Sequence, residues 1–397
     1  MRKEGGINDS SVRPGPVEGI YEVPEGKALR ASVRLRSGRA IAFGVVDNTD
    51  RPVPASGVFS TIGRVVWRPD WSDNSAPPER LAEPCLFAGV LNNMFGHNLT
   101  TGLGRVWALD HLPKETGLLY VVRMGSPRLL AQLQIRMGKI LGCFGVERPV
   151  RVVASSVSAP VLYTALDKYG ENYLGGASYE FVSWVHGRLR PYITADVESG
   201  NRLYVTRANV SRLQGRFACE DRLSENLARS GYKRFAPEEH SLQEQLEAYS
   251  RAEKLIFAEG SALHFFAFVK KPVQQVAVIQ RREALPPLIS RQIHAFDPQP
   301  VQFVNSIERV VFPKTLETNR AISILDFQRC KEILRATGFV DDRAEWEFPK
   351  AREIEGSVAE GRPGEEFLDE QGWNEWRETV RKEKISRRMA RQAGSGA

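Results

Sequence analysis

The 397-residue sequence predicts an α/β protein of two domains with a charged helical tail. Three observations lead there. The chain is longer than one hydrophobic core comfortably fills, so its length favours two domains. From Leu86 to Gln280, short β-rich runs alternate with helically spaced apolar residues, the pattern of right-handed βαβ units and a parallel sheet. Positive charge collects near the C terminus, where Arg381, Lys382, Lys384, Arg387, Arg388 and Arg391 against Glu383 account for +5 of the net +7.

Residues 1–28 are rich in Gly and Pro and read as a flexible leader. The first domain spans 29–195. Ala40 to Val46 and Gly63 to Trp67 read as strands, Asp70 to Arg80 as a loop, and Leu86 to Leu91 as a buried strand. Leu99, Leu103, Val106 and Trp107 then repeat at helical spacing. Strand Leu118 to Arg123 precedes a helix opened by Ser126-Pro127, a cap followed by the residue best suited to a first helical position. Val150 to Ala154 continues the alternation. The second domain spans 196–340. It holds strands at Leu203 to Thr206, Lys254 to Ala258 and Gln274 to Gln280, with a helix from Glu220 to Ser230 stopped by Gly231. Ser241-Leu242-Gln243-Glu244 is a capping box. Further strands fall near Val301 to Val304 and Arg309 to Phe312, and a helix with Phe327, Cys330 and Leu334 closes at Gly338. The charged extension 341–397 ends in a helix whose apolar stripe is Trp373, Trp376 and Val380.

Several function classes are disfavoured. No window reaches the roughly 20 apolar residues of a bilayer-spanning helix, and Met1 to Gly26 has no apolar secretion core. A soluble cytoplasmic protein is expected, and the glycosylation patterns at Asn98 and Asn209 are then chance matches. Cys85, Cys143, Cys219 and Cys330 are scattered and form no CxxC pair, which argues against a zinc site or a disulfide framework. Outside the tail the charge is near balance, so a nucleic-acid partner is not expected. The tail itself is either a solvated helix face or a docking element for a partner or an anionic membrane surface.

The stretch Phe257 to His264 is the most informative. A strand runs through Glu259 into Gly260-Ser261 and then into a helix, and unpaired backbone N–H groups at a helix start favour an anion such as phosphate. In open parallel sheets ligands sit beyond the carboxyl ends of the strands, where Arg207 also falls. Arg207 either contacts the same anion or is a solvated strand-end arginine, and Arg212 is a weaker second cation.

Four motifs taken together, Asn93-Met94-Phe95-Gly96-His97, Arg105-Val106-Trp107-Ala108-Leu109, Tyr204-Val205-Thr206-Arg207 and Ala258-Glu259-Gly260-Ser261-Ala262-Leu263-His264, resemble the bacterial branch of glycosyltransferase family 61. Pro237-Glu238, Ser241-Leu242 and Glu244-Gln245 sit between the last two where that family has comparable elements. The resemblance implies a GT-B fold, two Rossmann-like domains facing a cleft, with acceptor and nucleotide-sugar sides. It also implies an inverting, metal-independent transfer in capsular or surface polysaccharide synthesis. The donor would be UDP- or GDP-linked and the acceptor a saccharide or glycolipid, with no bound cofactor and, for the enzyme, a station in the cytoplasm or at the inner membrane surface. The sequence carries no Asp-x-Asp or spaced His/Asp ligand set.

Such chemistry must stabilise a departing diphosphate and remove a proton from the acceptor. Arg207, Gly260, Ser261 and Arg212 are the expected diphosphate contacts. Glu259 is a partner for ribose or sugar hydroxyls or a rim carboxylate, and His264 either binds the nucleotide or packs inside the helix. On the acceptor side His97 is either the first candidate base or a satisfied structural histidine, and Asp110 is the second candidate base. Members of the family usually carry a carboxylate four residues after this histidine, where this chain has Thr101. That departure keeps a second class open: a non-catalytic nucleotide-sugar binder or scaffold of a polysaccharide assembly complex.

Overall fold

A computed structural model of the chain describes residues 11–34, 40–57, 77–122, 125–170, 176–283, 287–315, 320–360 and 364–394. The expected strand at Gly63 to Trp67 lies outside them. The architecture is α/β. The chain divides into two compact units: Met1–Ala195 with Ser261–Pro272 and Pro286–Gln299, and Asp196–Gly260 with Val273–Leu285 and Pro300–Ala397.

In the first unit a six-stranded sheet has the order Arg13–Pro14, Ile20–Pro24, Val161–Ala165, Cys85–Leu91, Gly117–Val122, Val150–Val153. The last four are parallel. Gly117–Val122 is buried throughout, as a parallel strand covered on both faces must be. The leader expectation is corrected here: Ile20–Pro24 pairs antiparallel with Val161–Ala165 across five registered positions. A second sheet joins Ala40–Val46, Lys27–Arg34, Val157–Ser158 and Glu79–Arg80, and Val23, Ala28, Val45, Phe87, Leu119, Val121 and Leu162 fill the core the two sheets share. Helix Pro127–Cys143 starts where Ser126 Oγ accepts from Leu129 N at 3.3 Å, and its buried stripe is Leu133, Met137, Ile140 and Leu141.

The single helical run expected from Leu99 to Trp107 is two elements, an α-helix Phe95–Gly102 and a 3-10 helix Val106–His111. Arg105, between them, is fully buried and pairs with Asp167 at 2.8 Å while donating to the carbonyls of Ala165 and Gly57. The Arg105-to-Leu109 motif is therefore a strut of this unit. Helices Ala262–Phe266 and Pro287–Phe296 also belong to it. Together with the 3-10 helix Ala267–Val269, they bring Phe268 and Phe296 onto Tyr169, Phe144 and Phe181, with Phe268 edge-on to Phe296 at 5.2 Å, to Phe144 at 5.6 Å and to Phe265 at 6.2 Å.

In the second unit five parallel strands have the order Lys233–Phe235, Glu198–Val205, Ala252–Ala258, Gln275–Ile279, Gln302–Val304. The first strand of this sheet in chain order, Glu198–Val205, lies between its second and third, so the winding direction reverses beside it. Helices Glu220–Arg229 and Phe327–Ala336 end before Gly231 and Gly338, whose φ of +83° and +77° favour glycine. Helix Leu242–Arg251 opens on the capping box with both reciprocal bonds formed. Tyr204, Leu223, Leu227, Ile256, Ala277, Cys330 and Leu334 are among its buried core. A second sheet orders Arg216–Phe217, Ile322–Leu325, Ile307–Pro313 and Phe367–Leu368. The extension contributes helix Ala351–Ala359 as well as the terminal helix Glu370–Gly394. Trp373 docks the latter on its own unit: the indole stacks on Phe312 at 4.6 Å, and its Nε1 donates to Thr315 O at 2.9 Å. No helix among the described residues is long and apolar enough to cross a membrane.

Candidate functional site

In the second unit the winding reverses between Glu198–Val205 and Ala252–Ala258, and sheets of this order take ligands beyond the carboxyl ends of the strands at that point. Arg207 follows the first strand by two residues and Gly260 follows the second by two. They touch. The Arg207 guanidinium lies so close over Gly260 that any β-carbon there would collide with Nη1, and Cδ would be 3.0 Å from it. A side chain at this position would require the Arg207 guanidinium to move.

Glu220 sets the course of the chain into Arg207. Helix Glu220–Arg229 begins with this buried carboxylate, and its Oε1 accepts from Tyr204 Oη at 3.0 Å, Thr206 Oγ1 at 2.7 Å and Arg207 N at 2.6 Å. Burial raises its pKa above 4.5 against the pull of those bonds. Arg207 Nη2 donates to Gly215 O at 3.0 Å, whereas its buried Nε has no hydrogen-bond partner among the described residues. Burial lowers the Arg207 pKa, with Glu220 and Glu259 acting the other way. A guanidinium held by one edge with a buried donor unfilled is suited to an oxyanion.

Glu259 does not face a ligand. It is fully buried, and its Oε2 accepts from Arg281 N at 2.8 Å and Arg282 N at 3.2 Å, while Oε1 takes Arg282 Nε at 2.6 Å and an ion pair with Arg282 Nη2. The reading of Glu259 as a hydroxyl partner or rim carboxylate is corrected to that of an anchor for residues 281–282. Those two arginines were missed in the sequence. Arg281 is 7% exposed, and its buried Nε, too, has no hydrogen-bond partner among the described residues. The only available signal was the doublet just past strand Gln275–Ile279. Arg212 pairs with Glu360 at 2.9 Å, at the extension.

The expected helix start after Gly260 is slight. Helix Ala262–Phe266 has five residues, Ser261 already has helical angles (φ −68°, ψ −17°), and its side chain caps nothing. So few aligned peptides add little dipole; charge near Gly260 comes from guanidinium groups instead. Ser261 itself is half-buried and belongs with the first unit.

In the first unit His264 is held by the buried Gln292. The Gln292 amide oxygen faces His264 Nδ1, and its nitrogen donates to His264 O at 3.1 Å and to the Tyr169 hydroxyl. As the network is assigned, Nδ1 carries the imidazole hydrogen. The other edge of the ring meets Gly96: a β-carbon there would lie 2.5 Å from Cδ2 and 3.0 Å from Nε2. His97, next in the chain, is half-buried on helix Phe95–Gly102. Thr101, one turn on, has Oγ1 at 2.7 Å from both Val90 O and His97 O, a backbone-directed hydroxyl. Asp110 is exposed near the end of the otherwise buried 3-10 helix, where it ion-pairs with Arg188 and accepts from Trp184 Nε1 at 3.0 Å. The break after Gly102 separates its element from that of His97. Among the described residues no group of three or more His, Cys, Asp or Glu side chains could hold a metal ion.

A family model described as Glycosyltransferase 61 matches residues 95–276. A search of curated proteins finds no match to the chain. The matched span includes His97, Arg207, Gly260 and His264 and stops short of Arg281.

Proposed function

Because residues 95–276 match the model of glycosyltransferase family 61, we propose that the chain moves a sugar from a nucleotide-sugar donor to a saccharide or glycolipid hydroxyl by a metal-independent, inverting displacement. The donor is UDP- or GDP-linked and the product a capsular or surface polysaccharide. One observation carries the reading: Arg207 lies over Gly260 at the point where the strand order reverses, with a buried N–H unfilled. Fixed donors aimed at the diphosphate stabilise the charge that grows as the glycosidic bond breaks, and need no reorganisation at that moment. The acceptor hydroxyl attacks the anomeric carbon from the opposite face, and His97 takes its proton.

The test separates binding from transfer. Arg207→Ala abolishes nucleotide binding measured by calorimetry; His97→Ala retains it and loses turnover. Unchanged nucleotide affinity in Arg207→Ala ends this reading, and wild-type turnover that disappears in EDTA ends its metal-independent part. A second reading, a non-catalytic nucleotide-sugar binder, is favoured by Thr101, whose hydroxyl is committed to backbone carbonyls where a carboxylate would stand. Tight nucleotide-sugar binding with no turnover across a donor panel selects it.

A further inference from the structure

We propose that Arg281 is a second anion-binding residue beside Arg207, and that the pair grips the two phosphates of a diphosphate. The proposal rests on the reading above and assigns a contact outside the family-matched span. Arg281 follows strand Gln275–Ile279, the neighbour of Ala252–Ala258, so its backbone emerges at the same sheet edge as Gly260. That backbone is fixed on both sides: its N–H donates to Glu259 Oε2 at 2.8 Å, and its carbonyl accepts from Ser323 Oγ at 2.5 Å. The side chain is otherwise unexplained.

Glu259, whose charge acts on Arg281, does not neutralise it. Glu259 is taken up in an ion pair by Arg282, which leaves Arg281 buried beside a second cation. Burial first, and then repulsion from Arg207, pull its pKa down to about 10. Among the described residues, neither guanidinium group has a hydrogen-bond partner for its buried Nε–H. An interior that holds two neighbouring cations with unfilled donors is arranged at the expense of its own stability, and such strain collects at functional sites. An anion with acceptors for two planar forks would fill both open donors, which a diphosphate supplies and a single carboxylate does not.

Calorimetric titration of the full chain with sodium pyrophosphate, UDP, GDP and uridine tests this. Pyrophosphate and both nucleotides bind the wild type, and Arg281→Met weakens each by about 10- to 100-fold, as loss of hydrogen bonds to a charged group does. Uridine is unaffected. Without anion, Arg281→Met melts no lower than the wild type, since an apolar chain of similar length replaces a buried unpaired charge, and the melting shift caused by pyrophosphate is lost. Wild-type pyrophosphate affinity in Arg281→Met overturns the proposal, as does a lower anion-free melting point with the pyrophosphate shift preserved. If that variant does not fold, Arg281→Lys decides: it keeps the charge and removes the fork, and undiminished affinity for pyrophosphate overturns the proposal. The two readings fail differently. Pyrophosphate bound through Arg281 with no binding of UDP, GDP or nucleotide sugars upholds this residue and removes the transferase, whereas nucleotide binding lost in Arg207→Ala and intact in Arg281→Met does the reverse.

Discussion

The imidazole of His264 rests against the backbone of Gly96, with Cδ2 only 2.5 Å from where a β-carbon would stand. Real side chains do not approach so closely, so the pair is possible only with glycine. Gly96→Ala must push the ring off Gln292 or displace helix Phe95–Gly102, and overpacking of this kind costs about 1–3 kcal/mol. Urea denaturation should show that loss, with transfer falling because His97 is the next residue. An unchanged midpoint would show that the ring gives way freely.

Gln292 is the hub that ties three groups of the first unit together. In Gln292→Leu the hydroxyl of Tyr169 and Nδ1 of His264 lose the partner described above, at about 1–3 kcal/mol for each buried group left unsatisfied. A double-mutant cycle with Tyr169→Phe, read by thermal denaturation, should give a coupling that accounts for part of it. Strict additivity would contradict the bond.

Glu220 makes stability depend on pH in a definite direction. Burial, the largest cause, raises its folded-state pKa above 4.5, so the native chain holds the proton more tightly than the unfolded one. Its contribution is complete below 4.5 and is lost as pH rises through the folded-state value. Glu220→Gln, which cannot ionise and keeps an oxygen for Tyr204, Thr206 and Arg207, should gain on the wild type as pH climbs from below 4.5 to neutrality. A difference that is flat over that range would show that the carboxylate has its ordinary pKa.

Trp373 is the main fastening of the terminal helix. Beyond its stack on Phe312 and its bond to Thr315, Arg377 lies 4.1 Å over the indole. Trp373→Ala should cost about 3–5 kcal/mol if the helix stays docked; if the helix detaches instead, limited proteolysis will cut within residues 370–394 early. Wild-type resistance together with wild-type stability would contradict the docking.

What the sequence disclosed was mostly local. The capping box at Ser241, the cap at Ser126 and the glycine stops at Gly231 and Gly338 depend on residues a few positions apart, and each falls within a residue or two of its expected place. The parallel strands from Cys85 onward announced themselves as apolar runs. Pairing between distant segments left no such trace: Ile20–Pro24 is a strand because Val161–Ala165 offers it an edge. In the site, Arg207 and Gly260 were visible as strand-end residues, but their contact is tertiary. Glu259 looked like a ligand because its neighbours in the chain do, and only Arg281 and Arg282, across a strand and a turn, show where its oxygens go. Arg281 itself was hidden for the same reason. A doublet of arginines usually lies in water, and nothing local marks one of them as buried.

The chain leaves and re-enters the first unit between Gly260 and Gln299, lending it two helical pieces each time flanked by strands of the other. Neither half is therefore inheritable as a contiguous block of gene. A polypeptide ending at Ala195 would expose Phe144, Tyr169 and Phe181 where Phe268 and Phe296 belong, and aggregation is its expected fate. Any chimera that exchanges one unit for a relative's must splice at the crossings, returning residues 261–272 and 286–299 to the partner whose aromatic residues they cover.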